Sequence, residues 1–505
     1  MAGQEYTGNQ YPQECEPIAA SKFHKVLYEL PFKTRGPPKP FDGKNGISRN
    51  NDFVLLPFSP DCSIKENYQG GGVFKQQLWN VIHESLSKPI KSSSDFENAI
   101  RKYSNGIGNF ALLHNYLNKH TPGLEDFFDV LLRIKKLALE LPNLIKTGVP
   151  FLRKGSPEQT LDFSISLSQQ QISSLLANAF LCTFPKRNFS DRYPDINFNR
   201  LFELDTPKAK EKLLCILNYF RRVCSRTPDN VVTFTRRSIS KSDFPRWDCR
   251  EDAFSSINIA VNHKGSIEDN GKKFLRVDFA NKYVGGGVLS RGCLQEEIQF
   301  LIHPELIISR LFTECLQDNE ALIVYGAERF NCYEGYGDSF KFINKHFQDD
   351  LEIDSSKRRK SFIVAIDAIE LSDFAQQYEK QSIIRELNKA YVGFYNKSSR
   401  VLPVASGNWG CGAFGGDADL KVLLQLMACA VTKRSLFFFT FGNNPQKKGI
   451  DSMHKFLIES NINVGLLFKY LTQFSQYYEK RNNLFEFIKG LHYQQVFSVS
   501  ITIKL

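Results

Sequence analysis

The chain has 505 residues, of which 42% are hydrophobic and 24% charged, and its mean hydropathy is −0.32. That profile excludes a wholly disordered, collagen-like or membrane-spanning protein, and no apolar run reaches the roughly 18 residues that a membrane helix needs. Lys plus Arg number 65 and Asp plus Glu 54, a net charge of +11, which favours anionic partners such as nucleic acid, nucleotides or an acidic membrane surface without choosing among them.

At about 150 residues per domain, the length predicts two to four domains. The 43 phenylalanines can fill a large core. Eleven cysteines form no C-x-x-C and no signal-peptide pattern opens the chain. They read as reduced, mostly buried thiols in a reducing compartment. The nine histidines form no H-E-x-x-H and pair with no cysteine at zinc spacing, so no metal is expected. The densest basic run, Lys357-Arg358-Arg359-Lys360, reads as an exposed loop.

Residues 1 to about 50 are rich in Gly, Pro, Gln, Asn and Lys and read as a poorly ordered arm. Gly70-Gly71-Gly72 reads as a turn entering a helix. From about 70 to 225 the pattern is helical. Thr121-Pro122 is expected to cap a helix carrying Leu124, Phe127, Phe128, Leu131 and Ile134. Ser168 with Gln171 resembles a capping box ahead of Ile172, Leu175, Leu176, Ala179 and Phe180, with Pro185 as the stop. Thr206-Pro207 opens a further helix to about Cys224.

Near 230 the pattern changes to short β-rich runs: 231–235, 257–261, 275–279, 321–325, 362–366 and 437–441. Several are apolar on both faces, as central strands of a covered sheet are. Helical stretches at 294–312, 373–392 and 417–433 separate some of them. The expected organisation is an arm (1–50), a helical accessory domain (51–225) and an α/β domain (226–505).

Two glycine-rich loops stand between a strand and a helix. The first is Asp278-Phe279-Ala280-Asn281-Lys282-Tyr283-Val284-Gly285-Gly286-Gly287. The second, Ser406 to Gly416, follows an expected strand Val401–Val404. Glycines let the backbone approach a ligand and turn N–H groups toward it, and a helix N-terminus adds partial positive charge. Two such loops at strand C-termini could hold one diphosphate from two sides. Neither matches a P-loop or a dinucleotide fingerprint. Just past the first loop, Gln295-Glu296-Glu297 opens a helix. Adjacent helical residues point about 100° apart, so the two carboxylates cannot do the same job. One can be a general acid/base while the other grips a hydroxyl. The plainer reading is that both complement the helix dipole.

Gly285-Gly286-Gly287, seven residues, then Gln295-Glu296-Glu297 resembles the signature of poly(ADP-ribose) glycohydrolases. Val277–Asn281, Gly407–Gly412 and the helical Leu175–Phe180 with Cys182–Pro185 are similar to the same family. The resemblance runs from about 55 to 470 and is to the long type, with a helical accessory domain before a macrodomain. It implies a mixed α/β sheet flanked by helices, and hydrolysis of ribose–ribose O-glycosidic bonds, mainly exo, releasing ADP-ribose. It implies that Glu297 is the general acid/base, that Glu296 holds ribose hydroxyls and that Asp278 belongs to the catalytic group. Asn281, Gly285, Gly286, Gly287 and the stretch Asn408, Trp409, Gly410, Cys411, Gly412, Ala413 and Phe414 would bind substrate. Ile267 and Glu268 would recognise adenine with Gln295 nearby, Tyr333 and Tyr336 would close over the nucleotide, and Phe439 would stack on adenine. The plain alternatives are that Phe439 is core and the tyrosines are turn residues.

The resemblance further implies poly(ADP-ribose) and poly(ADP-ribosyl)ated proteins as partners, ADP-ribose as product, no cofactor, no membrane, no sequence-specific nucleic-acid binding, and a monomer of nucleus or cytoplasm in the DNA damage response. Competing readings are a non-catalytic ADP-ribose reader, which would not need the Glu296-Glu297 pair, and a hydrolase of mono-ADP-ribosyl protein. A nucleic-acid-binding protein is suggested by the charge but lacks zinc-finger spacing and an RNP1-like motif.

Overall fold

A computed structural model describes residues 16–32, 36–43, 47, 51–67, 73–117, 121–186, 192–397, 401–477 and 483–502. Gly70–Gly72 and residues 1–15 of the arm lie outside the described residues.

The strands in chain order are β1 (His24–Val26), β2 (Ser63–Asn67), β3 (Val73–Gln77), β4 (Leu161–Ser168), β5 (Val231–Ser238), β6 (Ile259–Asn262), β7 (Leu275–Ala280), β8 (Glu320–Tyr325), β9 (Cys332–Glu334), β10 (Lys341–Ile343), β11 (Phe362–Asp367), β12 (Val404–Ser406) and β13 (Leu436–Phe439). Nine of them form one mixed sheet in the order β1-β4-β5-β8-β11-β7-β12-β13-β6. From β11 through β7, β12 and β13 to β6 every pairing is parallel, whereas β4, β5, β8 and β11 pair antiparallel.

Helices cover both faces. Along β11 the side chains alternate: Ile363 and Ala365 enter one core, Phe362, Val364 and Ile366 the other. The first core is built with helices Phe127–Leu139, Gln169–Phe180 and Pro207–Ser225. Phenylalanine dominates it. Phe202 meets Phe96, Phe110 and Phe180 at ring separations of 5.8, 5.1 and 5.1 Å, and Phe180 meets Phe220 at 5.6 Å. The second core lies under helices Lys380–Phe394, Ala418–Thr432 and Val464–Phe474. Among the described residues no helix is long and apolar enough to cross a membrane.

Several expectations hold in detail. Ser168 accepts from Gln171 N while the Gln171 side chain accepts from Ser168 N, the reciprocal cap expected there. Thr206 caps helix Pro207–Ser225 by accepting from Ala209 N.

Others are corrected. The stretch taken as wholly helical contains β4, and the arm contributes β1, which pairs with it. The arm and the accessory region therefore each add one strand to the sheet rather than standing apart from it. The helix expected from Thr121 begins at Phe127, with residues 121–124 forming a turn first. Helix Gln169–Phe180 ends before Cys182, whose φ of 53° breaks it ahead of Pro185. The stretch 294–312 is not one helix: Pro304 has no N–H to continue it, and the Ile302 carbonyl accepts instead from Phe330 N. The strand expected at Val401–Val404 begins only at Val404.

The basic run 357–360 is not an exposed loop. Arg358 and Arg359 are buried. Arg358 pairs with Asp354 at 2.9 Å and donates to Glu16 O at 2.8 Å, and Lys357 donates to Gly36 O at 2.6 Å. These charges tie the N-terminal arm to the sheet.

Candidate active site

The parallel half of the sheet sends its loops to one edge, where ligands bind in open α/β sheets. A cleft of about 1150 Å³ lies there, lined by both glycine-rich loops. At the end of β7 the Asn281 side chain accepts from Tyr283 N at 3.0 Å, starting the turn into the first loop. Gly285 and Gly286 take φ of 84° and 43°, a region that costs a residue with a Cβ.

The first loop's carbonyls are pulled away from the cleft by two buried cations. Lys212 Nζ donates to the carbonyls of Gly287, Val288 and Ser290 at 3.1, 3.1 and 2.8 Å. Arg310 Nη1 donates to those of Val284 and Gly286, both at 3.0 Å. The amides consequently face the other way, onto the glutamates. Gly285 N and Asn281 N donate to Glu296 at 2.6 and 3.0 Å, and Gly287 N and Leu294 N donate to Glu297 at 2.8 and 2.7 Å. A Cβ on Gly286 would lie within 2.6 Å of Glu296 Oε2 and closer still to Glu297 Oε1, and one on Gly292 would lie 2.6 Å from Glu297 Oε1.

This corrects the expected job of the first loop. Its Gly285 and Gly287 amides are already used by carboxylates, and Gly286 N is used by Tyr283 O. The loop's amides hold the acids. The plain helix-start reading of the pair is half right, since Glu297 caps Leu294 N at the entry to helix Gln295–Ile302.

The second loop is the one left open. Among the described residues, the amides of Gly412, Ala413 and Phe414 donate to no acceptor. Asn408, Gly410, Cys411, Gly412, Ala413 and Phe414 all line the cleft, and successive open amides of this kind make an anion-binding concavity. Trp409 does not belong with them. It is fully buried, donates to Ile366 O at 3.0 Å and lies under Lys421 Nζ at 4.5 Å. It supports the loop from below.

Glu296 and Glu297 line the cleft, and Asp278 is fully buried close to Glu297. Neither carboxyl oxygen of Asp278 has a hydrogen-bond partner. Burial first, then the nearby Glu297 and Glu268 charges, push its pKa well above the usual carboxylate range. Burial and the Asp278 and Glu297 charges do the same to Glu296, against the pull of its two backbone amides.

Gln295 bridges β7 and Glu268. Its Oε1 accepts from Phe279 N at 2.8 Å and its Nε2 donates to Val277 O at 3.2 Å and reaches Glu268 at 3.5 Å. Tyr333 OH reaches the other Glu268 oxygen at 3.4 Å. Tyr336 stands 54% exposed at the rim. Ile267 and Glu268 lie just behind the cleft wall, both buried.

Phe439 is corrected: it is 2% exposed and packs on Ile267 and Ala405. The aromatic that reaches the cleft is Phe441, past the end of β13 at φ 48° and 49% exposed. Sequence reasoning missed it by extending the strand through the whole Phe437–Phe441 run. It also missed Lys212 and Arg310, and the segment Tyr193–Arg200 that lines the opposite end. No motif marked these residues.

Known proteins match this arrangement in both halves. Residues 123–236 match the helical domain of poly(ADP-ribose) glycohydrolase, and residues 244–448 match its macrodomain-fold part. Poly(ADP-ribose) glycohydrolase 1 of Arabidopsis thaliana is 32% identical over 474 residues, covering 76% of this chain and 84% of its own. Poly(ADP-ribose) glycohydrolase 2 of Caenorhabditis elegans is 34% identical over 419 residues, covering 80% of each. With acids held on a glycine loop, an open amide loop across the cleft and similarity over most of its length, the chain belongs to the poly(ADP-ribose) glycohydrolase family.

Proposed function

We propose that this protein hydrolyses the ribose–ribose O-glycosidic bonds of poly(ADP-ribose), mainly from the chain end, with Glu297 as general acid and then base. The substrate's diphosphate rests on the amides of Gly412–Phe414, and its terminal ribose meets the acidic floor. Glu297 gives its proton to the glycosidic oxygen as the C1–O bond breaks, so the remaining polymer leaves as an alcohol. The positive charge that develops on the ribose is balanced by the nearby diphosphate. The Glu297 carboxylate then takes a proton from water as that water adds to C1, which restores the acid and releases ADP-ribose. Glu296 accepts from ribose hydroxyls, and Phe441 supplies the stacking face for adenine.

One observation carries this reading. The glycine loop turns its amides onto two adjacent carboxylates, which fixes the Glu297 side chain at the cleft floor. A module that only bound ADP-ribose would have no use for that arrangement. The partners that follow are poly(ADP-ribose) and the proteins carrying it, and a reducing nuclear or cytoplasmic setting suits eleven cysteines without a pairing pattern.

Two assays test it. Glu297→Gln should lower kcat on poly(ADP-ribose) by at least about 10²–10⁴-fold, the usual contribution of a positioned acid/base, while ADP-ribose still binds. Near-normal turnover would defeat the assignment. With polymer of defined length, the exo reading expects ADP-ribose monomer as the early product, and early oligomers would contradict it.

A further inference from the structure

One wall of the cleft is built by residues far from the macrodomain loops in sequence: Tyr193, Asp195, Asn197 and Arg200, within the matched helical domain. The same four residues also line a second groove of about 830 Å³, which runs over the helical region as far as Lys186. This segment is therefore a wall common to the cleft and the groove, with a space on either side of it. Pockets for one small ligand usually measure about 300–1,000 Å³. The two spaces together are larger than a single ADP-ribose unit requires.

We infer that Tyr193–Arg200 forms a binding subsite for the ADP-ribose unit next to the one being removed, on the leaving-group side of the scissile bond. This rests on the hydrolytic reading above and adds the helical region's part in it.

Position supports the inference. Arg310 is shared between the segment and the glycine loop: its Nε donates to Asp195 O at 2.9 Å while its Nη1 holds Val284 and Gly286. The segment thus meets the carbonyl side of the glycine loop through Arg310, which lines the same cleft as Glu296 and Glu297. Glu268 and Tyr333 lie together beyond Gln295. With the terminal adenine on that side, the Tyr193–Arg200 wall is a part of the cleft left for the next unit.

The segment is also built to hold a ligand. One side-chain amide and one ring are held in place: Asn197 Nδ2 donates to Phe184 O at 2.8 Å, and the Tyr193 ring lies 4.7 Å from that of Phe151. Asn197 Oδ1 is buried without a hydrogen-bond partner. Left so it is costly, and a ribose hydroxyl or the adenine amine would satisfy it with a small side-chain movement. Arg200 pairs with Asp195 at 3.0 Å, but the two side chains are 64% and 53% exposed. An ion pair that open is weak, so the guanidinium can exchange its carboxylate for a diphosphate, which it can grip with two N–H donors.

The test compares polymer with monomer in the otherwise unaltered chain. Arg200→Glu and Asn197→Leu should each raise KM for long poly(ADP-ribose), Arg200→Glu by about tenfold, as expected when one phosphate contact becomes a repulsion. kcat should stay within about twofold, because the terminal unit and Glu297 are untouched. ADP-ribose binding, measured by calorimetry, should be unchanged in both variants, which also shows that they fold. Arg200→Lys should recover part of the loss. An unchanged KM in both variants, or a loss of ADP-ribose affinity in step with KM, would overturn the inference. The Glu297 assignment fails on a different reading, since it is judged by kcat in Glu297→Gln alone.

Discussion

Asp278 is 0% exposed and neither of its carboxyl oxygens meets a donor. Such a group is tolerable only when it carries a proton, and burial and its acidic neighbours keep the proton on. The consequence for stability has a definite sign. The folded chain keeps a proton that the unfolded chain releases as pH rises past the ordinary value of 3.8, so folding becomes less favourable from that pH upward until the raised folded value is reached. Asp278→Asn removes this penalty. At neutral pH folding of the parent must take up a proton from water and folding of the variant need not, so the variant should be the more stable of the two. The gap should close as pH falls to about 4, where both chains are neutral at this position. Urea denaturation at the two pH values measures it, and a destabilised Asp278→Asn at neutral pH would contradict the account. At this scale the identity of the acids was legible in the sequence, because Gly285–Gly287 and Glu296-Glu297 can be spelled out. The direction of side chains was not. Phe439 and Phe441 share a run of aromatics, and only the end of β13 decides that the first is core and the second faces the cleft.

Helix Pro207–Ser225 shows how one element from the accessory region shapes the catalytic loop. Its Lys212 is fully enclosed, and its ammonium donates to three carbonyls of the Gly287–Ser290 turn. Burial brings its pKa down to about 8. An ammonium is held there against that cost because the turn must show its carbonyls downward if Gly287 N is to meet Glu297. Lys212→Met keeps an unbranched side chain one atom shorter and removes the donors. It should lower kcat by about 10²-fold, the scale of a small misplacement of catalytic groups, while ADP-ribose affinity changes little, since the open amides of the second loop are untouched. An equal loss of ADP-ribose binding would mean that Lys212 merely supports the fold. Elements of this kind were legible to the extent that their signals are local. The Ser168–Gln171 cap and the Thr206-Pro207 start depend on three or four neighbouring residues. β4 carried a local signal as well, strict alternation in Leu161-Asp162-Phe163-Ser164-Ile165-Ser166-Leu167-Ser168. Its Ile165 and Leu167 enter the core while Ser164 and Ser166 bond Thr235 and Thr233 across the strand pair at 2.8 and 2.7 Å. Strong helical patterns on both sides hid it. Lys212 had no signal, because its purpose depends on a turn 75 residues further along the chain.

At the scale of the whole molecule, the sheet does not respect the division that the sequence suggests. β4 pairs with β5 along its full length from Leu161 to Ser168, and β1 extends the sheet outward from β4. The phenylalanine cluster of the helical region forms one core with Val232, Phe234, Leu322 and Ile363 of the sheet. A covered central strand next to an arm and a helical region looks in sequence like a boundary near 225, because composition changes there even though packing does not. Two outcomes follow. The protein should unfold in one cooperative transition, with fluorescence and far-ultraviolet circular dichroism giving coincident curves. A chain beginning at residue 226 should not fold to an active enzyme. It would bare the edge of β5, an invitation to aggregation, strip one face of the sheet of its apolar cover, and leave the Gly287–Ser290 carbonyls without Lys212. Supplying residues 1–225 as a separate chain would have to restore all three at once, at the entropic cost of association. If the truncated chain were soluble, monomeric and active on poly(ADP-ribose), the helical region would be an appendage. If it aggregates or stays inactive, the catalytic loop, the sheet and the helices form a single folding unit, and the cleft exists only where that unit is complete.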